Sequence, residues 1–143
     1  MILLDTSGLL AALDASQPSH GAAAEALAAA GPPRLLSPFV LAELDYLLRS
    51  RVGDEAQRAL LSEVARGAYR LEAFSRGDVD VARAVMERWK GLALDLADAS
   101  IVVLSHRHDA RDVLTLDEHR FRRLRRAGGR AFRVLPADHG SIA

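Results

Sequence analysis

Cysteine is absent from the 143 residues of this chain. Its absence excludes disulfide bridges, zinc sites built on thiolates and a cysteine nucleophile. Chemistry at a functional site must therefore depend on oxygen and imidazole groups.

An excess of charge of either sign is also absent, because 19 basic and 19 acidic residues give a formal net charge of zero. The chain has no overall electric field that would attract nucleic acid or a membrane. Any contact with nucleic acid must therefore be local.

Long apolar runs are missing as well. No stretch approaches the roughly 18 consecutive apolar residues that a membrane-spanning helix needs. The first residues, MILLDTS, lack a basic segment and soon reach Asp5, which is not the pattern of a signal peptide. We expect a cytoplasmic protein with no membrane segment.

The composition is typical of a globular domain. Half of the residues are hydrophobic, which argues against disorder. The length lies in the range of roughly 100–150 residues where single domains are most frequent. We therefore expect residues 1–143 to form one domain with one core and one functional site.

Segments typical of strands and of helices alternate along the chain. The predicted strands are residues 2–4, 34–36, 69–73, 113–116 and 132–135. Predicted helices separate them and include residues 19–30, 75–89, 95–106 and 117–126, with Ser37 and Asp54 as caps of two further helices. This order predicts an α/β fold with a mainly parallel sheet between layers of helices.

Four acidic residues lie where ordinary surface charges are not expected. Asp5 and Asp117 each follow a predicted strand directly, and ligand sites in open parallel sheets form beyond the carboxyl ends of strands. Glu43 and Asp98 interrupt the apolar faces of their predicted helices. Because burial of an unpaired carboxylate is unfavourable, each of these acids needs a partner.

A metal ion is the partner that we expect. No arginine lies within one helical turn of Asp5, Glu43 or Asp98, and clustered carboxylates without thiolates favour Mg²⁺ or Mn²⁺. Two such metals, or one with its waters, would activate a water and stabilise the leaving oxygen of a phosphodiester. The hydroxyls of Thr6 and Thr115 would hold that water or the carboxylates.

Simpler interpretations of these acids remain open at this point. An aspartate after a strand is often a turn residue or a helix cap, which would explain Asp5 or Asp117 taken singly. Asp95 and Asp98 fit an N-cap followed by an acid in the first helical turn, and Glu43 fits an edge residue. Spacing alone supports an acidic site without naming its substrate.

Four segments resemble, in order and spacing, the acidic motifs of PIN-domain ribonucleases of the VapC type. They are LLDTSGLLAAL, SPFVLAELDYLL, LDLADASIVVLSHRH and VLTLDEHRFRRL, and together they span nearly the whole chain. The resemblance implies that Asp5, Glu43, Asp98 and Asp117 are the catalytic acids, with Asp5 and Asp98 as direct metal ligands. Asp95 would have a capping or supporting role.

The same resemblance implies a fold and a function. The fold would be a PIN-domain α/β/α sandwich around the sheet. The activity would be Mg²⁺-dependent endonucleolytic cleavage of structured RNA, such as transfer or ribosomal RNA. The protein would be a homodimer and a toxin that a small VapB-type antitoxin inhibits.

Other classes of protein with acids at strand ends fit the sequence less well. A receiver domain needs a lysine near its last strands, whereas the one lysine here is Lys90. A dinucleotide-binding fold needs a glycine-rich turn after the first strand, and a haloacid-type phosphatase needs an aspartate where this chain has Ser7. A metal-free interaction module with the same fold is the remaining alternative.

Arginine is concentrated in the stretch His119–Arg133, which contains seven of these residues. Within the predicted helix 117–126, Arg122, Arg125 and Arg126 share one face. Because arginine binds phosphate through paired hydrogen bonds, we expect these three side chains to orient the RNA backbone. A solvated helix face is the alternative interpretation.

Overall fold

Five short strands form one parallel sheet in the computed structural model, which describes residues 1–140. The strands are β1 (Ile2–Leu4), β2 (Arg34–Leu36), β3 (Arg70–Leu71), β4 (Asp112–Leu114) and β5 (Arg133–Leu135). They lie in the order β3-β2-β1-β4-β5, and all neighbouring pairs are parallel. Residues 141–143, the end of the expected domain, lie outside the described residues.

Seven α-helices, within the part of the chain that the structure describes, connect the strands and cover the sheet. They are α1 (Thr6–Leu13), α2 (His20–Ala29), α3 (Pro38–Arg51), α4 (Asp54–Ala65), α5 (Arg76–Arg88), α6 (Leu96–His108) and α7 (Glu118–Phe121). All three residues of β1 are completely buried, as expected for a parallel strand with both faces covered. The predicted α/β/α architecture is confirmed, and the sheet is wholly parallel rather than mainly so.

The strand order reverses at β1, with β2 on one side and β4 on the other. In an open parallel sheet this reversal leaves a crevice beyond the carboxyl ends of the strands, where ligands bind. Asp5 follows the last residue of β1 directly, and Thr115 follows the last residue of β4. The topology therefore positions both segments at this crevice.

Close packing between α1 and the end of β4 requires a glycine. A Cβ atom on Gly8 would lie 2.3 Å from the carbonyl oxygen of Leu114 and 2.6 Å from the backbone nitrogen of Thr115. Both distances are too short for any side chain to occupy. Gly8 thus allows the start of α1 to contact the residues that follow β4.

Most predicted helix starts agree with the structure, and one does not. Ser37 caps α3, because its hydroxyl accepts a hydrogen bond of 3.2 Å from the backbone N–H of Phe39. The prediction that Asp54 caps α4 is wrong. Gly53 occupies the cap position with φ 140°, and Asp54 is the first helical residue. A positive φ of this kind favours glycine.

The predicted helix over residues 117–126 is also wrong in its length. The helix α7 ends at Phe121, and the chain then turns so that Arg125 forms an isolated antiparallel bridge with Ala131. Two successive glycines with positive φ make the turn. The strands predicted over 69–73 and 113–116 are likewise shorter, at two and three residues.

No helix within residues 1–140 combines the length and the apolar character that crossing a membrane requires.

Candidate active site

A cleft of about 410 Å³ lies beyond the carboxyl ends of β1 and β4. Its walls include all four acids that the sequence singled out, namely Asp5, Glu43, Asp98 and Asp117. These residues come from four separate segments of the chain, and only the fold brings them together. Their catalytic roles stay predictions that the arrangement supports.

Asp5 is buried at the base of the cleft, with 5% of its surface exposed. It occupies the N-cap position of α1, but its side chain forms no capping hydrogen bond with that helix. Its Oδ2 atom instead accepts hydrogen bonds from the hydroxyls of Thr115, at 2.6 Å, and Ser7, at 3.1 Å. Its carboxyl group is therefore held by side chains and not by a capping contact.

Burial raises the pKa of the Asp5 carboxyl from 3.8 to about 6, although the hydrogen bonds from Thr115 and Ser7 oppose the rise. The negative charge of Asp117 raises this pKa further. Ionisation at this position is unfavourable unless a positive charge is near. The site is thus arranged so that binding of a cation stabilises it.

Thr115 connects two of the acids. Its hydroxyl donates to Asp5 and accepts a hydrogen bond of 2.9 Å from the backbone N–H of Asp117. Ser7, which the sequence analysis did not select as a site residue, accepts a bond of 2.9 Å from the backbone N–H of Leu116. The contact of Ser7 with Asp5 is local, but no local pattern indicates its contacts with Thr115 and Leu116, which lie more than 100 residues away.

Glu43 lies on α3 and is exposed, whereas its place in an apolar stripe predicted burial. That prediction is wrong because the buried face of α3 consists of Val40, Leu44 and Leu48, and Glu43 projects from the adjacent face. Its Oε1 atom accepts a hydrogen bond of 2.6 Å from the hydroxyl of Thr6. Both threonines proposed to hold carboxylates, Thr6 and Thr115, do so.

Asp98 and Asp95 form a reciprocal capping box at the start of α6. The backbone N–H of Asp98 donates to Asp95 at 2.9 Å, and the backbone N–H of Asp95 donates to Asp98 at 3.2 Å. Asp95 therefore has the capping position that was expected. Burial raises the pKa of the Asp98 carboxyl to about 7, and the charges of Asp95 and Asp5 add to this effect.

Asp117 caps α7 and also forms an ion pair. One carboxylate oxygen accepts from the backbone N–H of Arg120 at 3.0 Å, and the other lies 2.8 Å from a terminal nitrogen of the same arginine. The guanidinium is anchored to the carbonyl oxygen of Leu92 at 2.9 Å and lies 4.0 Å from Asp98. Arg120 was missed as a site residue, although its spacing of three residues from Asp117 on a helix was a usable signal.

The three arginines expected to contact RNA do not share a helix face. Arg122 directly follows the last residue of α7, and Arg125 and Arg126 lie further along the chain. The side chain of Arg126 is 7% exposed and pairs with Asp109 at 3.3 Å. It is therefore enclosed by the protein and does not form part of an open basic strip.

The other two of these arginines are also held within the molecule. Arg122 pairs with Glu118 at 2.9 Å and with Asp138 at 2.8 Å. The guanidinium of Arg125 donates to the backbone carbonyl of Arg122 at 2.7 Å. The geometric basis for an RNA-binding strip at these positions is lost, and the contact itself stays a prediction.

The donor groups of the cleft determine what kind of metal ion it can hold. Within residues 1–140, no three Asp, Glu or His side chains are arranged to enclose a metal by themselves. Mg²⁺ usually binds one or two carboxylates and keeps several of its waters. Two acids with raised pKa values, Asp5 and Asp98, line this open cleft. The residues therefore fit a partly hydrated Mg²⁺ and not a fully enclosed ion.

Comparisons with known proteins identify the family of this chain. The family model described as the PIN domain matches residues 2–127, a range that contains all four acids. Ribonuclease VapC26 of Mycobacterium tuberculosis (strain ATCC 25618 / H37Rv) is 39% identical over 135 residues, which cover 94% of this chain and 100% of that protein.

A solved structure shows the same fold. The crystal structure of Mycobacterium tuberculosis VapC20, which is described as a sarcin-ricin loop cleaving toxin, matches with a TM-score of 0.68 at 24% sequence identity. The match covers 82% of this chain and 90% of that one. The chain therefore belongs to the PIN-domain family, and within it to the ribonucleases of the VapC type.

Proposed function

We propose that this protein hydrolyses structured RNA, such as transfer or ribosomal RNA, in a Mg²⁺-dependent reaction at the acid cleft. The observation that carries the proposal is the convergence of four acids, from four separate segments, at the reversal point of a parallel sheet. Mn²⁺ would substitute for Mg²⁺, because both prefer oxygen ligands.

Asp5 and Asp98 are the residues that would hold the metal. Both line the cleft, and the pKa of each is raised mainly by burial, so that both gain from a nearby positive charge. When bound, Mg²⁺ supplies positive charge that acidifies a water and offsets the charge that develops on the phosphate.

The protein's own hydroxyls restrict the positions of these acids. Thr115 and Ser7 hold one oxygen of Asp5, and Thr6 holds one oxygen of Glu43. An acid that is already oriented loses less entropy when it accepts a hydrogen bond from water or substrate. Glu43 and Asp117 would thus be available to orient the attacking water.

Metal dependence is tested by cleavage of purified transfer and ribosomal RNA after the protein has been stripped with EDTA. We expect no cleavage in EDTA, recovery with Mg²⁺ or Mn²⁺, and inhibition by Ca²⁺, whose looser coordination orients water poorly. Asp98→Asn should remove activity, while Asp45→Asn, on α3 outside the cleft, should retain it. Undiminished cleavage in EDTA would refute the metal requirement.

We also propose that a small VapB-type antitoxin inhibits the enzyme. An arginine or lysine of such a partner would neutralise the cluster of acids in place of the metal. Co-expression with the product of a neighbouring short reading frame should restore growth and yield a complex. A chain that neither inhibits growth nor binds such a product would instead fit an interaction module.

Two further expectations concern the state of the protein in the cell. We propose a homodimer, as the resemblance to VapC-type ribonucleases implies. The 69% exposed side chain of Tyr46 on α3 is compatible with this proposal, because tyrosine is enriched in protein interfaces. We propose a cytoplasmic location, as suits an enzyme that acts on cellular RNA. Sedimentation equilibrium tests the first proposal, and cell fractionation tests the second.

A further inference from the structure

One face of α3 forms a wall of the acid cleft. Glu43, Leu47 and Arg51 are spaced four residues apart, which places them on the same side of the helix, and all three line the cleft. At a rise of 1.5 Å per residue, Arg51 lies roughly 12 Å from Glu43 along the helix axis. The wall thus changes from an acid, through an apolar side chain, to a guanidinium.

The acid end of this wall has a defined position, because Thr6 binds Glu43 through a hydrogen bond of 2.6 Å. The basic end is solvent-exposed. Within residues 1–140, the guanidinium of Arg51 forms neither a hydrogen bond nor an ion pair. It is therefore available to a ligand in the cleft.

The arginines of the stretch His119–Arg133 differ from Arg51, because they form hydrogen bonds within the protein. Each of the seven donates to an acceptor within the protein. They are Arg120, Arg122, Arg123, Arg125, Arg126, Arg130 and Arg133. RNA would have to share each of these guanidinium groups with an internal acceptor, whereas Arg51, within the part of the chain that the structure describes, has all of its donors free.

An RNA strand that approaches the cleft meets unfavourable electrostatics. Four acids line the cleft, and Arg120 pairs closely with only Asp117. The protein also has zero net charge with which to offset the repulsion between the other acids and the phosphates. Arginine binds phosphate through two parallel hydrogen bonds. An exposed guanidinium at the end of the cleft would attract a phosphate at little desolvation cost.

A structural role for Arg51 is the alternative to a binding role. A positive charge in the last turn of a helix interacts favourably with the helix dipole. Arg49, in the same turn of α3, supplies an equivalent charge but does not line the cleft. The dipole therefore does not account for the position of Arg51 in the cleft wall.

We propose that Arg51 is a phosphate-binding subsite of this enzyme. It would hold a backbone phosphate adjacent to the scissile one, so that the RNA strand lies along α3 with its scissile bond at the acids. The inference rests on the proposed RNA cleavage. It assigns the backbone contact to α3 instead of to Arg122, Arg125 and Arg126.

The test compares Arg51→Ala with Arg49→Ala, because both changes remove one positive charge from the last turn of α3. Binding of a fluorescein-labelled RNA stem-loop is measured by anisotropy over a range of salt concentrations. Both changes are made in an Asp98→Asn background, which prevents cleavage. Thermal melts by circular dichroism verify that both proteins are folded.

We expect Arg51→Ala to weaken binding about tenfold and to reduce the slope of log K against log salt by about 0.7 to 1, as for one lost phosphate contact. Arg49→Ala should leave the affinity and the slope almost unchanged. Arg51→Lys should retain the slope but bind less tightly, because an ammonium lacks the planar pair of donors. In active enzyme, Arg51→Ala should raise KM more than it lowers kcat.

Equal affinities and slopes for Arg51→Ala and Arg49→Ala would overturn the subsite, as would the absence of RNA binding by the Asp98→Asn protein. Binding is measured without cleavage, so equal affinities would leave the proposed ribonuclease activity intact. Failure of the unmodified protein to cleave RNA would refute the proposed function, and the binding comparison would still decide the subsite.

Discussion

Replacement of Asp5 by asparagine should stabilise the metal-free protein while it abolishes catalysis. Asparagine has nearly the same shape, and its amide oxygen can accept the hydrogen bonds that Thr115 and Ser7 donate to the carboxylate. The change therefore removes a buried negative charge but keeps an oxygen that accepts hydrogen bonds from Thr115 and Ser7. A residue that served only to stabilise the fold would behave in the opposite way.

The size of the effect follows from the pKa of Asp5, which burial raises from 3.8 to about 6. Since each pKa unit corresponds to about 1.4 kcal/mol, the ionised carboxyl destabilises the folded protein by about 3 kcal/mol. For a domain of this size, such a change corresponds to a rise in Tm of roughly 10 °C.

The sign depends on pH in a defined way. Because the folded protein holds the Asp5 proton more tightly than the unfolded chain does, ionisation opposes folding. The destabilisation is absent below about pH 3.8, grows as the pH rises, and is complete above about pH 6. The asparagine variant carries no such penalty at any pH.

Urea denaturation in EDTA measures this difference. We expect Asp5→Asn to exceed the unmodified protein in unfolding free energy by up to about 3 kcal/mol at pH 8, and to differ little at the acid end of the range. Asp45→Asn is the control, because Asp45 bonds to Gln57 outside the cleft, and its effect should stay within about 0.5 kcal/mol. Equal or lower stability of Asp5→Asn at pH 8 would refute the reasoning.

Three further predictions concern the packing, the hydroxyls and the metal. Gly8→Ala should lower the unfolding free energy by about 1–3 kcal/mol, because the new Cβ would lie 2.3 Å from a carbonyl of β4. The control, Gly21→Ala, places its Cβ in open space on α2 and should be neutral or stabilising. Equal Tm values for the two variants would contradict this prediction. Thr115→Val should reduce kcat far more than Thr115→Ser, because valine can neither donate a hydrogen bond to Asp5 nor accept one from the backbone N–H of Asp117. Similar rates for the two variants would argue against a role for the hydroxyl. Mg²⁺ should raise the Tm strongly at pH 8 and weakly at pH 5, because protons compete with the metal for Asp5 and Asp98. Their pKa values are about 6 and 7. An increase in Tm that does not depend on pH would exclude these two residues as ligands.

The sequence by itself determined the fold class and the acids of the site. Alternation of strand and helix patterns indicated a parallel sheet, and the positions of Asp5 and Asp117 after strands indicated the edge at which a site would form. These signals are local, since the period of apolar residues and the residue after a strand can be read directly from the chain. The apolar faces that they interrupt singled out Glu43 and Asp98, and the four-motif resemblance then implied a catalytic role for all four acids.

The tertiary structure alone decided how these acids are held. Ser7 and Thr115 are 108 residues apart and meet only because Gly8 lets α1 approach the end of β4. The exposure of Glu43 depends on which face of α3 packs against the core, and its contact with Thr6 crosses 37 residues.

The contacts of the arginine side chains also depend on the tertiary structure. The clustering of arginine in the stretch His119–Arg133 suggested an open basic face. In the folded protein, these side chains instead bond to acceptors that the fold places next to them. Among the described residues, Arg126 is buried against Asp109, whereas Arg51, which lies outside that stretch, is free in the cleft wall. Local pattern determines which residues can form a helix or a strand, whereas packing between distant segments determines which charges remain available to a substrate.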